Sequence, residues 1–341
     1  MNSPEVVRLP VLILSPHTRC NCRCTMCDIW QATDESSLNA AQLERLLPDI
    51  EKLAVQWVVL SGGEPLMHPE LFEICKPLRA RGIRITMLST GLLLARHAES
   101  ICNYVNDVIV SLDGPPELHD KIRRVGGAFA SLQNGIGAIH AIRPSFSVSA
   151  RCTVQRINHA SLVETAEWGY GLGLRSLSFL AADVTSEAFN RATLWPTFKQ
   201  DRIALSEDQI EVLADQFVQI ESRWSGTGFV LENREKLQRI VRHFRAHIGL
   251  ARPEAPRCNA PWVSAVIEAD GTIRPCFFHR PIGSISQNSL LQVLNGSSGL
   301  AFRNSLEIAA NPTCQNCVCS LNWKDGSGSQ NAQRNLGLAA K

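Results

Sequence analysis

A regular alternation of short β-type runs with longer helix-type segments over about the first 180 residues constrains the fold most strongly. One helical pattern, for example, covers residues 40–53, where Leu43, Leu47 and Ile50 recur at i, i+4 and i+7. Repeated β-α units predict a parallel sheet. Six right-handed units predict an α/β fold, a partial (β/α)6 barrel of TIM type with all strand carboxyl ends on one face. The strand candidates are residues 11–15, 56–61, 83–88, 107–112, 146–154 and 174–180.

The pattern changes after the sixth unit. Ser206 with Gln209 predicts a capping box at the start of a helix, and strand signals stop. From residue 251 the chain is rich in Pro, Gly and Cys and carries one hairpin signal at residues 263–267 and 271–275. The predicted units are a barrel (1–190), a helical bridge (191–250), a small Cys-rich domain with a β-hairpin (251–324) and a disordered tail (325–341).

Charge excludes several classes of partner. The 34 Lys and Arg residues nearly balance the 32 Asp and Glu residues, so the net charge of +2 gives no field that favours nucleic acid or an anionic membrane. Arg239, Arg242 and Arg245 lie three apart in the bridge, which indicates a solvated helix face more than a dock for an acidic substrate. No apolar run approaches the roughly 18 to 20 residues that a membrane helix needs, and the start of the chain lacks the pattern of a signal peptide. These observations predict a cytoplasmic protein with no nucleic-acid or membrane partner.

The chain has twelve cysteines among 341 residues. A chain of this length can bury a core without disulfides, so structural stabilisation does not explain so many cysteines. In a reducing compartment, clustered cysteines indicate metal ligands or redox groups. Cys20, Cys24 and Cys27 follow the first predicted strand in a C-x3-C-x2-C pattern. Three thiolates on one short loop can ligate three irons of a cubane and leave the fourth iron open. A zinc knuckle completed by Cys22 or His17 is the alternative.

The segment at residues 18–30 reads TRCNCRCTMCDIW and resembles the cluster loop of the radical S-adenosylmethionine (SAM) superfamily. Three further segments resemble motifs of that family, each at the carboxyl end of a predicted strand: SGGEP at 61–65, STG at 89–91 and SLDG at 111–114. The first resembles the GGEP motif, whose backbone meets the SAM amino group. A glycine pair suits that role because a backbone without side chains can approach a ligand closely.

The resemblance implies a partial barrel in which Cys20, Cys24 and Cys27 hold a 4Fe-4S cluster. It also implies that SAM chelates the open iron of this cluster. Cys22 would crowd the loop if it also ligated, so it is predicted to be a packing or incidental residue. Arg123 and Arg151 are both candidates to bind the SAM carboxylate, and either arginine could instead make a structural ion pair. Glu64 could fix its own turn instead of contacting SAM. The SAM-binding residues implied by the resemblance are Gly62, Gly63, Glu64, Pro65, Ser89, Ser111, Asp113 and Arg123.

A second cysteine set lies in the C-terminal module. Its Cys258-x12-Gly271-x4-Cys276 layout resembles the SPASM/twitch extension of radical SAM enzymes, which ligates auxiliary iron–sulfur clusters. Five cysteines suffice for one cluster and not for two. The predicted ligands of one auxiliary 4Fe-4S cluster are Cys258, Cys276, Cys314 and Cys317, with Cys319 as a spare or a substitute for Cys317. A closed four-thiolate zinc site is the alternative. Cys75, Cys102 and Cys152 lie in helix or strand patterns and are predicted core residues.

The resemblance implies an enzyme that takes one electron from a flavodoxin-like or ferredoxin-like donor, cleaves SAM to a 5′-deoxyadenosyl radical and abstracts a hydrogen from its substrate. Modification of a ribosomally made peptide is the first hypothesis for the reaction. A small metabolite, such as a tetrapyrrole or a sugar intermediate, is the alternative substrate. The hypothesis from another class is a non-catalytic zinc or electron-transfer protein.

Overall fold

The computed structural model describes residues 3–191 and 193–324. The tail predicted to be disordered, 325–341, lies outside the described residues. The strands are β1 (Val11–Leu14), β2 (Trp57–Leu60), β3 (Arg84–Ser89), β4 (Asp107–Ser111), β5 (Ser147–Val154), β6 (Leu177–Ala181), β7 (Ser264–Ile267), β8 (Thr272–Arg274) and β9 (Gly283–Ser284).

The helices follow the predicted alternation with the strands. They are α1 (Ala40–Lys52), α2 (Leu71–Ala80), α3 (Leu94–Tyr104), α4 (Pro116–Arg123), α5 (Ala128–Ile142), α6 (Leu162–Gly171), α7 (Thr197–Asp201), α8 (Glu207–Trp224), α9 (Arg234–His247), α10 (Ala260–Val263), α11 (Leu290–Leu294), α12 (Ser297–Ser305) and α13 (Pro312–Gln315). Short 3-10 turns occupy Ile29–Gln31 and Pro65–Met67.

The first six strands form one parallel array in sequence order, β6-β5-β4-β3-β2-β1. Each strand pairs with the next one along the chain; Leu12, for example, lies beside Val58. This confirms the predicted six-unit α/β architecture. All six carboxyl ends therefore meet at the same edge, where the loops that carry the cysteine and glycine motifs begin.

The hairpin of the Cys-rich module extends the same sheet. Strand β7 pairs parallel to β1, with Leu12 beside Ala265, and β8 returns antiparallel to β7. The hairpin itself agrees with the prediction. Its pairing with the first strand was outside the prediction, because a strand pattern does not specify a partner about 250 residues away. The sheet continues across the predicted boundary at residue 251.

Alternate residues of the strands face two different cores. Leu12, Leu14 and Val58 pack outward against the helices, as period-2 geometry requires. Val11, Ile13, Trp57 and Val59 pack inside the barrel, together with Val266 of β7 and Leu321 near the C-terminal end of the described chain. The C-terminal module therefore completes the interior packing of the barrel.

Helix α8 of the bridge begins at the predicted capping box, in which the Gln209 side chain accepts from the backbone N–H of Ser206 at 3.0 Å. The solvated-face interpretation of the bridge arginines is wrong for Arg239, whose guanidinium donates to the carbonyls of Cys317 and Val318 at 3.1 and 3.3 Å. Helix α9 therefore holds the last cysteine loop against the barrel. In the part of the chain that is described, no helix is both long and apolar enough to cross a membrane.

Candidate active site and cysteine clusters

The first cysteine loop leaves the carboxyl end of β1 and docks on helix α4. The N–H groups of Arg23 and Thr25 donate to the carbonyls of Arg123 and Ile122, both at 3.1 Å. These bonds use two of the carbonyls that a helix end leaves without intrahelical partners. The loop is thereby fixed relative to the barrel, with Cys20 half-buried and the thiols of Cys22, Cys24 and Cys27 buried.

The Cys24 thiol is prepared to act as a thiolate. The pKa of Cys24 lies below that of an ordinary thiol, chiefly because Cys22 donates a hydrogen bond to its sulfur and further because of the charge of Arg123. The Arg123 guanidinium donates to Cys24 Sγ at 3.4 Å. Thiolates, and not thiols, ligate metals. Cys22, at 1% exposure, thus contacts a predicted ligand from behind, which agrees with the packing role predicted for it.

The GGEP turn after β2 lies directly against this loop. Gly63 N donates to His17 O at 2.9 Å, and Glu64 N donates to Arg19 O at 2.8 Å. A Cβ atom on Gly63 would lie 1.8 Å from Arg19 O. Gly62 adopts φ +82°, a left-handed conformation that favours glycine. Both glycines are therefore required for the turn to approach the cysteine loop.

Glu64 is fully buried and bonded within the protein. Its carboxylate accepts from Ser89 Oγ at 2.9 Å and from Thr90 N at 2.6 Å, which links the ends of β2 and β3. His17 Nε2 lies 2.6 Å from Glu64 O, so that ring atom is engaged by the turn. Glu64 and Ser89 thus fix the motif loops relative to one another, which is the alternative that the sequence left open for Glu64.

Asp113 and Arg123 form a fully buried ion pair behind the cysteine loop. Asp113 also accepts from Thr153 N at 2.8 Å, so it links β4 to β5. Arg151 donates from Nε to Ser178 Oγ at 3.0 Å. Contact of these residues, of Ser111 and of the GGEP segment with SAM stays a prediction. The structure places Arg123 between Asp113 and Cys24, where its charge offsets that of a thiolate.

Two polar side chains that the sequence analysis missed lie beside the cysteine loop. Thr90 Oγ1 donates to Asn21 Oδ1 at 3.0 Å, and Thr25 Oγ1 donates to Gln155 Oε1 at 2.9 Å. Within the described ranges, the buried amide nitrogens of Asn21 and Gln155 have no hydrogen-bond partner. A buried donor without a partner costs about 1–3 kcal/mol. Gln155 directly follows β5, and that position at a strand's carboxyl end was the signal available in the sequence.

Those two donors and the cysteine loop fit the groups that the resemblance implies. SAM carries carboxylate, hydroxyl and adenine acceptors for amide donors such as Asn21 Nδ2 and Gln155 Nε2. Cys20, Cys24 and Cys27 supply the sulfur ligands of a cubane from one fixed loop. His17, the histidine that a zinc knuckle would use, has its Nε2 against Glu64 O.

A cavity of about 660 Å³ opens beside these loops and contacts four separate segments. It is lined by Asp28 and Ile29 of the cysteine loop, by the glycine pair of the GGEP turn, by Glu268 to Asp270 of the hairpin turn and by a segment that follows β6. We call that segment, residues 183–191 and 193–199, the covering segment; it crosses the predicted boundary between the barrel and the bridge. The cavity has the size expected of a ligand site.

The covering segment is attached to the cysteine loop through Asp28, the residue after Cys27. Trp195 Nε1 and Lys199 Nζ donate to Asp28 Oδ2 at 2.5 and 2.8 Å. Arg191 and Lys199 stack on the Trp195 ring, 3.8 and 4.1 Å from its centroid. Arg191 also pairs with buried Asp183 at 2.5 Å. These contacts hold an apolar and cationic wall over the cavity.

The second cysteine set converges at the side of the barrel. Four of its members line a small cavity of about 60 Å³ that reaches Ile13, Val59 and Leu88 of the barrel interior: Cys258, Cys276, Cys317 and Cys319. The thiols of Cys276, Cys314 and Cys317 each interact electrostatically with Cys258. All five are therefore brought into one region, and the choice between Cys317 and Cys319 as fourth ligand stays a prediction. Cys75, Cys102 and Cys152 are buried in the outer core, in agreement with the prediction.

Two family models match the chain. The radical SAM superfamily model matches residues 14–169, and an iron–sulfur cluster-binding domain named SPASM matches residues 258–318. The pre-heme d1 synthase of Dinoroseobacter shibae is 33% identical over 162 residues, 46% of this chain and 39% of that protein. The GTP 3′,8-cyclase of Rhizobium leguminosarum is 29% identical over 172 residues, 48% of this chain and 49% of that protein. The chain thus spans less than half the length of these curated relatives.

Solved structures match over most of the chain. Streptococcus suis SuiB bound to S-adenosylmethionine aligns with a TM-score of 0.67 at 13% identity, covering 93% of this chain and 73% of that one. The structure titled native anSMEcpe with bound AdoMet and Cp18Cys peptide aligns with a TM-score of 0.66 at 16% identity, covering 90% of this chain and 85% of that one. At these identities the likeness establishes the fold. The two family matches, and not this likeness, show that the chain carries a radical SAM domain at residues 14–169 and a C-terminal SPASM iron–sulfur domain at residues 258–318.

Proposed function

We propose that this protein reductively cleaves SAM and uses the resulting radical to abstract a hydrogen from a bound substrate. The observation that carries the proposal is the 660 Å³ cavity, because it contacts the cysteine loop, the GGEP turn, the covering segment and the SPASM hairpin together. A ligand in it would touch both family domains at once. The whole-protein reaction, its substrate and its electron donor, a flavodoxin-like or ferredoxin-like protein, are parts of this proposal.

Different residues of the site would have different roles in this reaction. Cys20, Cys24 and Cys27 would hold the SAM-binding 4Fe-4S cluster, and the SPASM cysteines would hold one auxiliary 4Fe-4S cluster. When bound, these clusters and SAM supply the one-electron chemistry and the 5′-deoxyadenosyl radical. Arg123 offsets thiolate charge at Cys24. Trp195 and the covering segment would shield one side of the cavity from water, which limits the loss of a reactive radical. Thiolate ligands also need a reducing compartment, which fits the predicted cytoplasmic location.

A ribosomally made peptide is the substrate class that we propose. The cavity has an open rim with acidic, basic and apolar side chains, among them Glu187, Leu194 and Asp270, and these can accept a chain with mixed chemistry. Leu194 of the covering segment lines the cavity and is 54% exposed, so it can contact apolar peptide side chains. The fold is shared with SuiB, which has been crystallised with the precursor peptide SuiA.

A tetrapyrrole-type small molecule is the second candidate substrate. It is favoured by sequence, since the matched relatives include pre-heme d1 synthase and an AdoMet-dependent heme synthase of Methanosarcina barkeri that is 28% identical over 162 residues. The Trp195, Phe189 and Phe277 rings around the cavity also provide flat apolar surfaces.

The test is anaerobic incubation of the reconstituted protein with SAM, dithionite and deuterated candidate substrates. We expect 5′-deoxyadenosine to form, with deuterium transferred from a peptide and not from a porphyrin. Transfer from the porphyrin alone would select the second candidate. A protein that carries stoichiometric zinc, lacks acid-labile sulfide and releases no 5′-deoxyadenosine would contradict the proposal and favour a non-catalytic zinc protein.

A variant separates the two clusters. Replacing Cys20, Cys24 and Cys27 together by Ala should abolish SAM cleavage and leave about half of the iron, because each cubane contributes four irons. The matched control replaces Cys75, Cys102 and Cys152, three buried cysteines of the outer core, and should retain full iron and SAM cleavage. Cleavage retained by the first variant would show that the wrong cysteines were assigned.

A further inference from the structure

His279 lies against a cysteine of the second set. Its Nε2 is 3.4 Å from Cys314 Sγ, a distance at which an imidazole N–H donates to sulfur. His279 is three residues beyond Cys276, whereas Cys314 lies on α13. One imidazole therefore connects two cysteine-bearing segments that are far apart in the sequence.

Contacts with neighbouring residues fix the position of the His279 ring. Its backbone N–H donates to Cys276 O at 3.3 Å, and its carbonyl accepts from Arg274 Nη1 at 3.0 Å. The ring packs edge-on against Phe302, with the ring centroids 4.9 Å apart, and the residue is 9% exposed. Hydrogen bonds fix the His279 backbone and the Phe302 ring fixes its imidazole, so His279 differs from a mobile surface histidine.

The five cysteines leave no need for His279 as an iron ligand. A 4Fe-4S cluster takes up to four thiolates, and Cys276, Cys314 and Cys317 already gather around Cys258. The contact of His279 is with the sulfur of one of these residues. An imidazole in that position acts on a cluster through the ligand, as groups around metal sites generally do.

We propose that His279 raises the reduction potential of the auxiliary cluster by donating an Nε2–H hydrogen bond to the Cys314 thiolate. One-electron reduction adds one negative charge to the cluster and its sulfurs, and a donor at sulfur stabilises that reduced form more than the oxidised form. No proton is transferred in this step, and the electron comes from the reductant. The inference rests on the auxiliary cluster of the proposed function and makes His279 a positioning residue.

The test is a redox titration of the reconstituted full-length protein with dithionite at one fixed pH, followed by electron paramagnetic resonance. The signal of the SAM-binding cluster is identified by its change when SAM is added. In His279→Leu, which removes the donor and fills most of the ring volume, the midpoint of the other signal should shift to a more negative potential. His279→Gln retains an N–H donor and should lie nearer to wild type. His140→Leu is the control, since His140 Nε2 lies by Phe146 O at 3.2 Å in the barrel.

Labelling with 15N-histidine provides a measurement on the unmutated protein. The reduced auxiliary cluster should show a weak 15N coupling that His279→Gln abolishes. A strong coupling typical of direct ligation would overturn the donor role, as would a midpoint in His279→Leu equal to that of wild type. Iron near four per chain in wild type would overturn the auxiliary cluster itself. Iron near eight with an unchanged midpoint would overturn the role of His279 alone.

Discussion

Replacing Gly63 by Ala tests how closely the GGEP turn approaches the cysteine loop. The new Cβ would lie 1.8 Å from Arg19 O and 2.6 Å from Arg19 C. Carbon–oxygen contacts normally lie at about 3.3 Å or more, so the two backbones must separate by about 1.5 Å. No side-chain rotation can relieve this clash, because backbone atoms lie on both sides of it.

The cost follows from the contacts that such a separation breaks. Gly63 N to His17 O and Glu64 N to Arg19 O are the two backbone hydrogen bonds that this separation would break, each worth about 0.5–1.5 kcal/mol. Overpacking adds about 1–3 kcal/mol. We expect Gly63→Ala to lower the free energy of unfolding by about 4 kcal/mol in urea titration, with loss of iron from the cysteine loop after reconstitution.

Two other glycines separate the possible causes. Gly82 adopts φ +73° with open space around it, so Gly82→Ala measures conformational strain alone and should cost about 1–2 kcal/mol. Gly137 lies in α5 with nothing near its Cβ position, so Gly137→Ala should stabilise the protein by about 0.5–1 kcal/mol. The reasoning is refuted if Gly63→Ala loses no more stability than Gly82→Ala and retains its iron.

Three further changes probe the surroundings of the site. Asp113→Asn leaves the charge of Arg123 buried without its partner and should lower the free energy of unfolding by about 3–5 kcal/mol in urea, and wild-type stability would contradict this. Burial raises the pKa of Glu232 to about 7, so between about pH 4.5 and 7 the folded protein holds a proton on Glu232 that the unfolded chain has released. Wild-type stability should therefore fall as pH rises from 5 to 8, and Glu232→Gln should flatten that fall; parallel stability curves would refute the assignment. Lys199→Met removes a half-exposed ion pair to Asp28 and should speed proteolysis within the covering segment with little change in global stability, whereas an unchanged cleavage rate would show that this contact does not hold the segment.

Most of the fold could be predicted from local sequence patterns. The six strands were predictable because each is a short apolar run, and the capping box at Ser206 because its two partners lie three residues apart. The cysteine loop and the GGEP turn were predictable for the same reason, since their chemistry is contained in a few consecutive residues. The predicted domain boundaries remain predictions, and the sheet continues across one of them.

Contacts between distant segments were beyond the reach of these patterns. Arg239 reads as part of a charged helix face, and only the folded chain brings it to the carbonyl of Cys317. Likewise, a histidine three residues after Cys276 has no local feature that points to Cys314. For Arg123 the sequence left a SAM carboxylate and a structural ion pair open as partners, and only the folded chain shows that the ion-pair partner is Asp113. In each case the partner is fixed by tertiary packing and not by sequence spacing.

The pairing of β7 with β1 sets the order in which the protein can be completed during synthesis. Strand β1 lies between β2, which follows within about 45 residues, and β7, which is translated about 250 residues later. At roughly 5–20 residues per second, one edge of β1 stays without its neighbour for about 10–50 s. The cysteine loop hangs from that same strand, so the nascent chain presents its first three cysteines beside an open sheet edge. A ribosome stalled before residue 264 would therefore display an unclosed edge at which chaperones or misassembly can act.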